Sequence, residues 1–124
     1  MQTVIIRKTE GTFGNFEKMK INYMDSFIKR LKGLMFTKQI HENEGALFVN
    51  RSENRLDSTI HMFFMNYDIA VFWMNNRNVI VDKMIARKWK PIYYPKTKAS
   101  KILETHVNNF DRLQIGEQLV IEKL

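Results

Sequence analysis

The sequence contains one long apolar region, residues 59–81, which short polar groups divide into three pieces. The pieces are residues 59–65, 69–74 and 79–81, and the groups between them are residues 66–68 and 75–78. Short segments rich in aromatic and β-branched residues, interrupted by Asn and Asp, are typical of strands joined by tight turns. The pattern therefore predicts that the three pieces are buried central strands, around which the rest of the chain is arranged.

Further strands are predicted on both sides of this region. Residues 2–7 are rich in Val and Ile, and residues 18–23 alternate polar with apolar side chains, so together they favour a hairpin. Two prolines within residues 89–95 remove two backbone donors, which predicts an edge strand or an extended loop there. The strand pattern also continues toward the C-terminus in residues 79–86, 99–107 and 118–122.

One helix is predicted, over residues 26–36. Its apolar side chains recur at helical spacing: Phe27, Leu31, Leu34 and Met35. Asp25 or Ser26 can cap its first turn, because a short side-chain oxygen accepts hydrogen bonds from the unpaired amides there. Gly33 is unfavourable inside a helix by about 1 kcal/mol relative to Ala. It indicates either the close approach of another backbone or the C-terminal cap of the helix.

The composition agrees with a single compact unit. A length of 124 residues allows one domain with one core, and 44% hydrophobic residues are enough to fill it. The predicted fold is a mainly β single domain, residues 1–124, in the form of a small β barrel or sandwich with the helix covering one of two buried faces. Most of the following side chains should be buried: Leu34, Leu47, Phe63, Phe64, Phe72, Trp73 and Leu103. Because the sequence has no Cys, disulfides, thiolate metal sites and Cys nucleophiles are all excluded.

The net charge of +7 comes from one segment of the chain. Residues 83–101 contain seven of the 20 bases and no acid, so the remaining 13 bases are balanced by the 13 acids. The seven bases are Lys83, Arg87, Lys88, Lys90, Lys96, Lys98 and Lys101. Such a segment predicts a binding surface for an anionic partner, or else a solvated edge of a protein that is simply basic.

Aromatic residues lie among these bases. Trp89, Tyr93 and Tyr94 alternate with lysines, a pattern typical of surfaces that bind single-stranded nucleic acid or glycans. The predicted binding residues are Lys88, Trp89, Lys90, Tyr94, Lys96 and Lys98. The alternative is that the rings close one end of the core while the lysines face water.

Four stretches carry a family resemblance: residues 30–36 (RLKGLMF), 44–49 (EGALFV), 61–69 (HMFFMNYDI) and 102–104 (ILE). In order and spacing they resemble domain-of-unknown-function family 192, also called uncharacterised protein family 0127, over residues 23–121. The Arg-x-x-Gly-Leu-Met and His-x-x-x-Met motifs together make the resemblance specific. It implies a small, mostly β barrel or sandwich with one packed helix, and it implies no established activity.

The sequence departs from that family's pattern after Met65. Similar chains have a proline and then an aspartate at the positions that Asp68 and Ala70 occupy here. On a strand these two positions point to the same face, so Asp68 could replace the missing aspartate. A family activity that needs the aspartate would otherwise be absent from this member.

Polar residues near the predicted core leave two interpretations open. Glu104 follows apolar residues and would be costly to bury unpaired, so Arg30 is its predicted partner in a structural clamp beside Gly33. Glu104 would otherwise be a catalytic acid or base, or be exposed. His61, Asp68 and Glu104 could also surround the cleft of a small hydrolase-like enzyme, although a hydrogen-bonded structural role is favoured for His61.

The histidines His41, His61 and His106 are too scattered for a recognised metal-binding pair, so no metal and no cofactor are expected. The sequence has no apolar run of membrane-spanning length and no signal-peptide pattern, which predicts a cytoplasmic protein, provided that no leader was removed before Met1. Two functions stay open. The sequence favours a non-catalytic binding module with an anionic, nucleic-acid or glycan partner over the hydrolase-like enzyme, and it does not determine the oligomeric state.

Overall fold

The computed structural model describes residues 2–8, 19–24, 38–62, 64–90 and 92–123. Within these ranges the chain forms seven strands and one short 3-10 helix. The strands are β1 Gln2–Lys8, β2 Met19–Met24, β3 Glu44–Asn54, β4 Ile69–Met74, β5 Ile80–Ala86, β6 Ala99–Thr105 and β7 Leu119–Lys123, and the 3-10 helix is Val107–Asn109. The predicted helix over residues 26–36, with Arg30, Gly33 and Leu34, lies outside the described residues, as does Phe63.

The strands are hydrogen-bonded in the order β5-β4-β6-β3-β2-β1-β7. Neighbouring strands run antiparallel except β2 and β3, which are parallel. The sheet curls until its first and last strands meet, where Val79 bridges Gln118 and the Ile80 amide donates to the Glu117 carbonyl at 2.9 Å. Between the described strands, no continuous ladder of hydrogen bonds closes the sheet into a barrel. The domain is therefore mainly β, as predicted, and of the two predicted forms it is sandwich-like.

One apolar cluster fills the inside of the curled sheet. Every strand contributes to it, and its largest members are Ile6, Ile21, Leu47, Phe72, Met74, Ile80, Leu103, Leu113 and Leu119. The predicted burial of Leu47, Phe72 and Leu103 is confirmed. Because all seven strands share this cluster, the inner core supplies the main apolar burial that stabilises the curl.

A second apolar cluster covers the outer face of β3, β4 and β6. It includes Trp73 and Ile102 from the sheet. Ile60, Met62 and Met65 join it from residues 55–62 and 64–67, here called the first covering segment, and Tyr93 joins it from the chain after β5. The Trp73 indole donates to the Ser58 carbonyl at 2.7 Å, which fastens the first covering segment to the sheet. Two buried faces were predicted, and residues 55–62 and 64–67 together with Tyr93 cover part of the outer one.

The predicted strand over residues 59–65 is wrong, and so is the predicted burial of Phe64. Apart from the bridge between Ile60 and Tyr93, the described residues of this segment, 59–62 and 64–65, form no strand ladder. Phe64 has a positive φ of 61° and its side chain is 47% exposed. Without a ladder the side chains need not alternate regularly, so Met62 and Met65 point into the outer cluster while Phe64 turns outward.

The longest strand, β3, has no counterpart among the elements predicted from the sequence. It lies between β2 and β6, and its Gly45 is opposite Thr105. A Cβ atom at position 45 would collide with the carbonyl oxygen of Glu104. Glycine is therefore needed at this position for β3 and β6 to approach each other closely.

Candidate functional site

The segment that follows β5, residues 87–96, is a loop held in place at several points. Asp68 accepts from the Lys88 amide at 2.8 Å and pairs with the Arg87 guanidinium at 3.3 Å. The Tyr93 hydroxyl accepts from the Arg87 amide at 2.7 Å. The Trp89 amide donates to the Met62 carbonyl at 2.8 Å. These bonds fix the loop backbone against the first covering segment, so the side chains that leave it have defined positions.

Three aromatic rings stand outward from this region. Trp89 is 53% exposed and Tyr94 is 56% exposed. The ring of Phe64 meets that of Trp89 edge to face, with centroids 5.3 Å apart. Tyr93, by contrast, is buried in the outer cluster, so the rings are divided between the core and the surface.

The backbone at two of these exposed rings is strained. Phe64 and Trp89 have φ values of 61° and 66°, a region that bulky L-residues rarely adopt. Such strain costs about 1–3 kcal/mol and persists only where surrounding contacts impose it, often at functional sites. Here the hydrogen bond from Trp89 to Met62 and the ring contact connect the two residues.

The seven bases of the segment have different surroundings. Lys88, Lys90, Lys96 and Lys98 are exposed. The ammonium of Lys83 instead turns inward, donates to the carbonyls of Phe110 and Leu113 at 2.8 and 3.2 Å, and lies 4.1 Å from the centroid of the Phe110 ring. Burial lowers the pKa of Lys101, with an opposing influence from Glu53, and Arg87 pairs with Asp68. The four predicted lysines are thus exposed, and Arg87, which is exposed as well, is paired with Asp68.

We define the basic-aromatic surface by these exposed side chains: Phe64, Lys88, Trp89, Lys90, Tyr94, Lys96 and Lys98. Arg55 extends it, because its guanidinium lies 5.3 Å from the centroid of the Tyr94 ring and donates to the Pro95 carbonyl at 2.9 Å. Sequence reasoning missed Phe64 and Arg55. Both come from the first covering segment, and only the folding of that segment against residues 87–96 brings them here.

The predicted catalytic residues have separate surroundings. His61 is exposed on the first covering segment, and Asp68 is engaged by Arg87 and Lys88. Glu104 is 8% exposed, opposite Ala46 on β3 and Val71 on β4. Within the described ranges, no hydrogen bond or ion pair joins Asp68 to Glu104.

The carboxyl group of Glu104 is perturbed by its burial. Removal from water raises its pKa to about 8, because the charged form loses its hydration. No described residue forms a hydrogen bond or ion pair with this carboxyl group. Arg30, its predicted partner in a clamp, lies outside the described residues, so the clamp stays a prediction.

A groove lies where β6 ends and β4 begins, with a volume of about 280 Å³. Its lining residues are Lys38, Gln39, Ile40, Tyr67, Asp68, His106 and Val107. Antiparallel pairing of β4 with β6 brings His106, at the end of β6, beside Asp68, at the start of β4. Nowhere in the described ranges do three His, Asp or Glu side chains come together in a way that suits a metal ion.

Comparison with known proteins establishes the family. The family model DUF192, described as "Uncharacterized ACR, COG1430", matches residues 7–122. The chain belongs to DUF192. A UPF0127 protein of Thermococcus gammatolerans is 38% identical over 114 residues, which cover 92% of this chain and 71% of that protein. A second DUF192 relative, a UPF0127 protein of Thermococcus kodakarensis, is 37% identical over 114 residues, covering 92% of this chain and 69% of that protein.

Solved structures share the fold of this DUF192 member. A Sinorhizobium meliloti protein, described as a candidate transcription regulator, superposes with a TM-score of 0.82 at 15% identity, covering 97% of this chain and 92% of that one. A protein of unknown function from Novosphingobium aromaticivorans gives a TM-score of 0.77 at 14% identity, with 95% and 83% coverage. At these identities the likeness concerns the fold alone. In the part of the chain that is described, no helix is both long and apolar enough to cross a bilayer.

Proposed function

We propose that this DUF192 member is a non-catalytic binding module, and that its basic-aromatic surface binds single-stranded nucleic acid. The observation that carries the proposal is the pair of half-exposed rings, Trp89 and Tyr94, beside exposed lysines on a loop with a fixed backbone. Single strands present unpaired bases that stack on aromatic rings and phosphates that attract cations. Both requirements are met by one continuous segment of the chain.

The fixed geometry of the loop also supports binding. Ordering a flexible loop on association costs free energy, whereas this loop is already held by Asp68 and by the amide of Trp89. The strained backbone at Phe64 and Trp89 directs two large rings into water, although burial of such rings would stabilise the fold. A stacking partner would compensate for that lost burial.

The test measures the affinity of a fluorescently labelled oligonucleotide by anisotropy at several salt concentrations. If the four exposed lysines each contact one phosphate, log Kd should change with log salt concentration with a slope of about 3 in magnitude, from roughly 0.7 per phosphate. Lys88→Glu/Lys90→Glu should lower that slope to about half its value. An unchanged slope in this double variant would refute the proposed surface.

Matched variants separate this surface from the general charge of the protein. Arg51→Glu/Arg77→Glu changes the net charge equally at exposed positions outside the segment, and it should preserve most of the slope. Trp89→Ala should weaken binding by about 1–3 kcal/mol through loss of a stacking ring. Ile115→Ala, at a similarly exposed apolar residue elsewhere, should leave the affinity unchanged. Equal competition by inorganic polyphosphate, which has no bases, would instead indicate general anion binding.

A further inference from the structure

The groove between the end of β6 and the start of β4 is separate from the residues that define the basic-aromatic surface. Ile40 and Tyr67 pack against the outer cluster and form apolar walls, together with Val107. Its volume of about 280 Å³ is slightly below the range of pockets that hold drug-sized molecules. The space therefore suits one small molecule with an apolar body.

Some hydrogen-bonding groups that line the groove already have partners, whereas others are available to a ligand. Asp68 already accepts at both carboxylate oxygens, from Arg87 and from the Lys88 amide. His106 accepts from the Asn108 amide at 3.0 Å through Nδ1, so a neutral ring carries its proton on Nε2 and can donate there. Among the described residues, Nε2 of His106 and the side chains of Lys38 and Gln39 have no hydrogen-bond partner. The available groups are thus mainly donors.

The charged residues near the groove also permit a ligand that accepts hydrogen bonds and carries a negative charge. Glu42 interacts electrostatically with His106, and hydrogen bonds from Asn108 and Arg112 hold the pKa of the Glu42 carboxyl group below the usual value. That carboxylate is therefore already engaged. Lys38 adds a positive charge at the wall of the groove.

From the unused donors and the apolar walls, we propose that this groove binds a small monocarboxylate with an apolar body. The carboxylate accepts hydrogen bonds from Nε2 of His106 and from the Lys38 ammonium, while the body lies against Ile40, Tyr67 and Val107. This is a binding site of a different ligand class from that of the basic-aromatic surface, and it does not depend on the function proposed for that surface.

Benzoate is a suitable probe, and benzamide is its neutral counterpart of nearly the same shape. In a titration followed by the amide resonances of the ¹⁵N-labelled chain, benzoate should shift residues 38–40 and 106–108 in a saturable way. Benzamide should bind at least about tenfold more weakly, because it lacks the charge that strengthens a hydrogen bond. No saturable shift with benzoate, or equal binding of benzamide, would overturn the proposal.

The variant His106→Asn tests the proposed donor without disturbing the local fold. Asn is a favoured N-cap residue, so its side chain can still accept from the Asn108 amide, but it has no group in the place of Nε2. Benzoate affinity should fall by about tenfold, the effect of losing one hydrogen bond to a charged group. His41→Asn, at an exposed histidine that does not line the groove, should bind as the wild type does.

A further variant tests whether benzoate binds to the basic-aromatic surface instead of the groove. Lys88→Glu/Lys90→Glu should leave benzoate binding within about twofold of the wild type, since these side chains do not line the groove. Loss of benzoate binding in this double variant, with no effect of His106→Asn, would place benzoate on the basic-aromatic surface and overturn the assignment to the groove.

Discussion

At the scale of single residues, Glu104 has the most strongly altered chemistry. Its carboxyl group is buried between β3 and β4, and desolvation raises its pKa to about 8. A neutral carboxylic acid is far less costly to bury than a carboxylate. The described surroundings therefore favour the protonated form at neutral pH.

This leads to a pH-dependent prediction for the free energy of unfolding. Between about pH 4.5 and 8 the unfolded chain has lost the Glu104 proton while the folded chain keeps it, so stability falls as pH rises. The slope should be up to about 1.4 kcal/mol per pH unit. Below pH 4.5 Glu104 is protonated in both states, so its burial causes no loss of stability there. Glu104→Gln removes this dependence. In urea unfolding, variant and wild type should be similar near pH 4.5, and the variant should be the more stable near pH 8.

A clamp between Arg30 and an ionised Glu104 predicts the opposite sign. Breaking a buried ion pair leaves one charge without its partner, so Glu104→Gln would then be the less stable protein at pH 8. Glu122→Gln serves as the control, because Glu122 is exposed and its pairing with Arg7 at 3.0 Å is a surface ion pair worth at most about 1 kcal/mol.

At the scale of elements, β4 is the strand that is buried along its whole length between the two apolar clusters. All six of its residues are buried, and Phe72 points into the inner cluster while Trp73 points into the outer one. Its neighbours β5 and β6 occupy both of its edges. A strand covered on both faces and at both edges reads in sequence as a continuous apolar run, as residues 69–74 do.

Truncation of two phenylalanines tests this difference between strand and covering segment. Phe72→Ala should lower the free energy of unfolding by about 3–5 kcal/mol, since it leaves a cavity in the inner cluster. Phe64→Ala removes an exposed ring and should cost only about 1 kcal/mol, mainly from the contact with Trp89. Urea denaturation of both variants provides the comparison, and equal losses would contradict the assignment of Phe64 to the surface.

At the scale of the whole molecule, β7 connects the two ends of the sheet. It pairs with β1 over residues 4–8, and Leu119 contributes to the inner cluster. The Leu119 amide also donates to the Asn78 carbonyl at 2.9 Å, beside the bridge between Val79 and Gln118. The last strand in the sequence thus covers the edge of β1 and meets the start of β5.

Deletion of residues 118–124 should therefore have a large effect. It uncovers the edge of β1, removes the bridge to Val79 and opens the inner cluster, and an uncovered edge promotes pairing between chains. The shortened protein should elute as aggregates in size-exclusion chromatography, while Glu122→Gln, which preserves the strand, should elute as the wild type does. A shortened protein that elutes unchanged and melts at the same temperature would show that β7 is dispensable.

The sequence by itself determined the mainly β class, the hairpin of β1 and β2, and the positions of β4 to β7. These follow from local patterns, because alternation and β-branched runs act over a few residues. It also showed that bases and aromatic residues are concentrated in residues 83–101. β3 was missed as a strand, although the burial of Leu47 was predicted, because an apolar half followed by a polar half shows no regular alternation.

Tertiary structure alone decided which apolar and charged side chains are buried. Phe64 belongs to the most apolar region of the chain yet faces water, and Lys83 belongs to the basic segment yet turns toward Phe110. It also placed Asp68 beside His106, residues 38 positions apart, because β4 and β6 pair antiparallel. Local propensity fixes the strand type over a few residues, whereas burial and site geometry depend on contacts between distant segments. Those contacts exist only after the strands have paired.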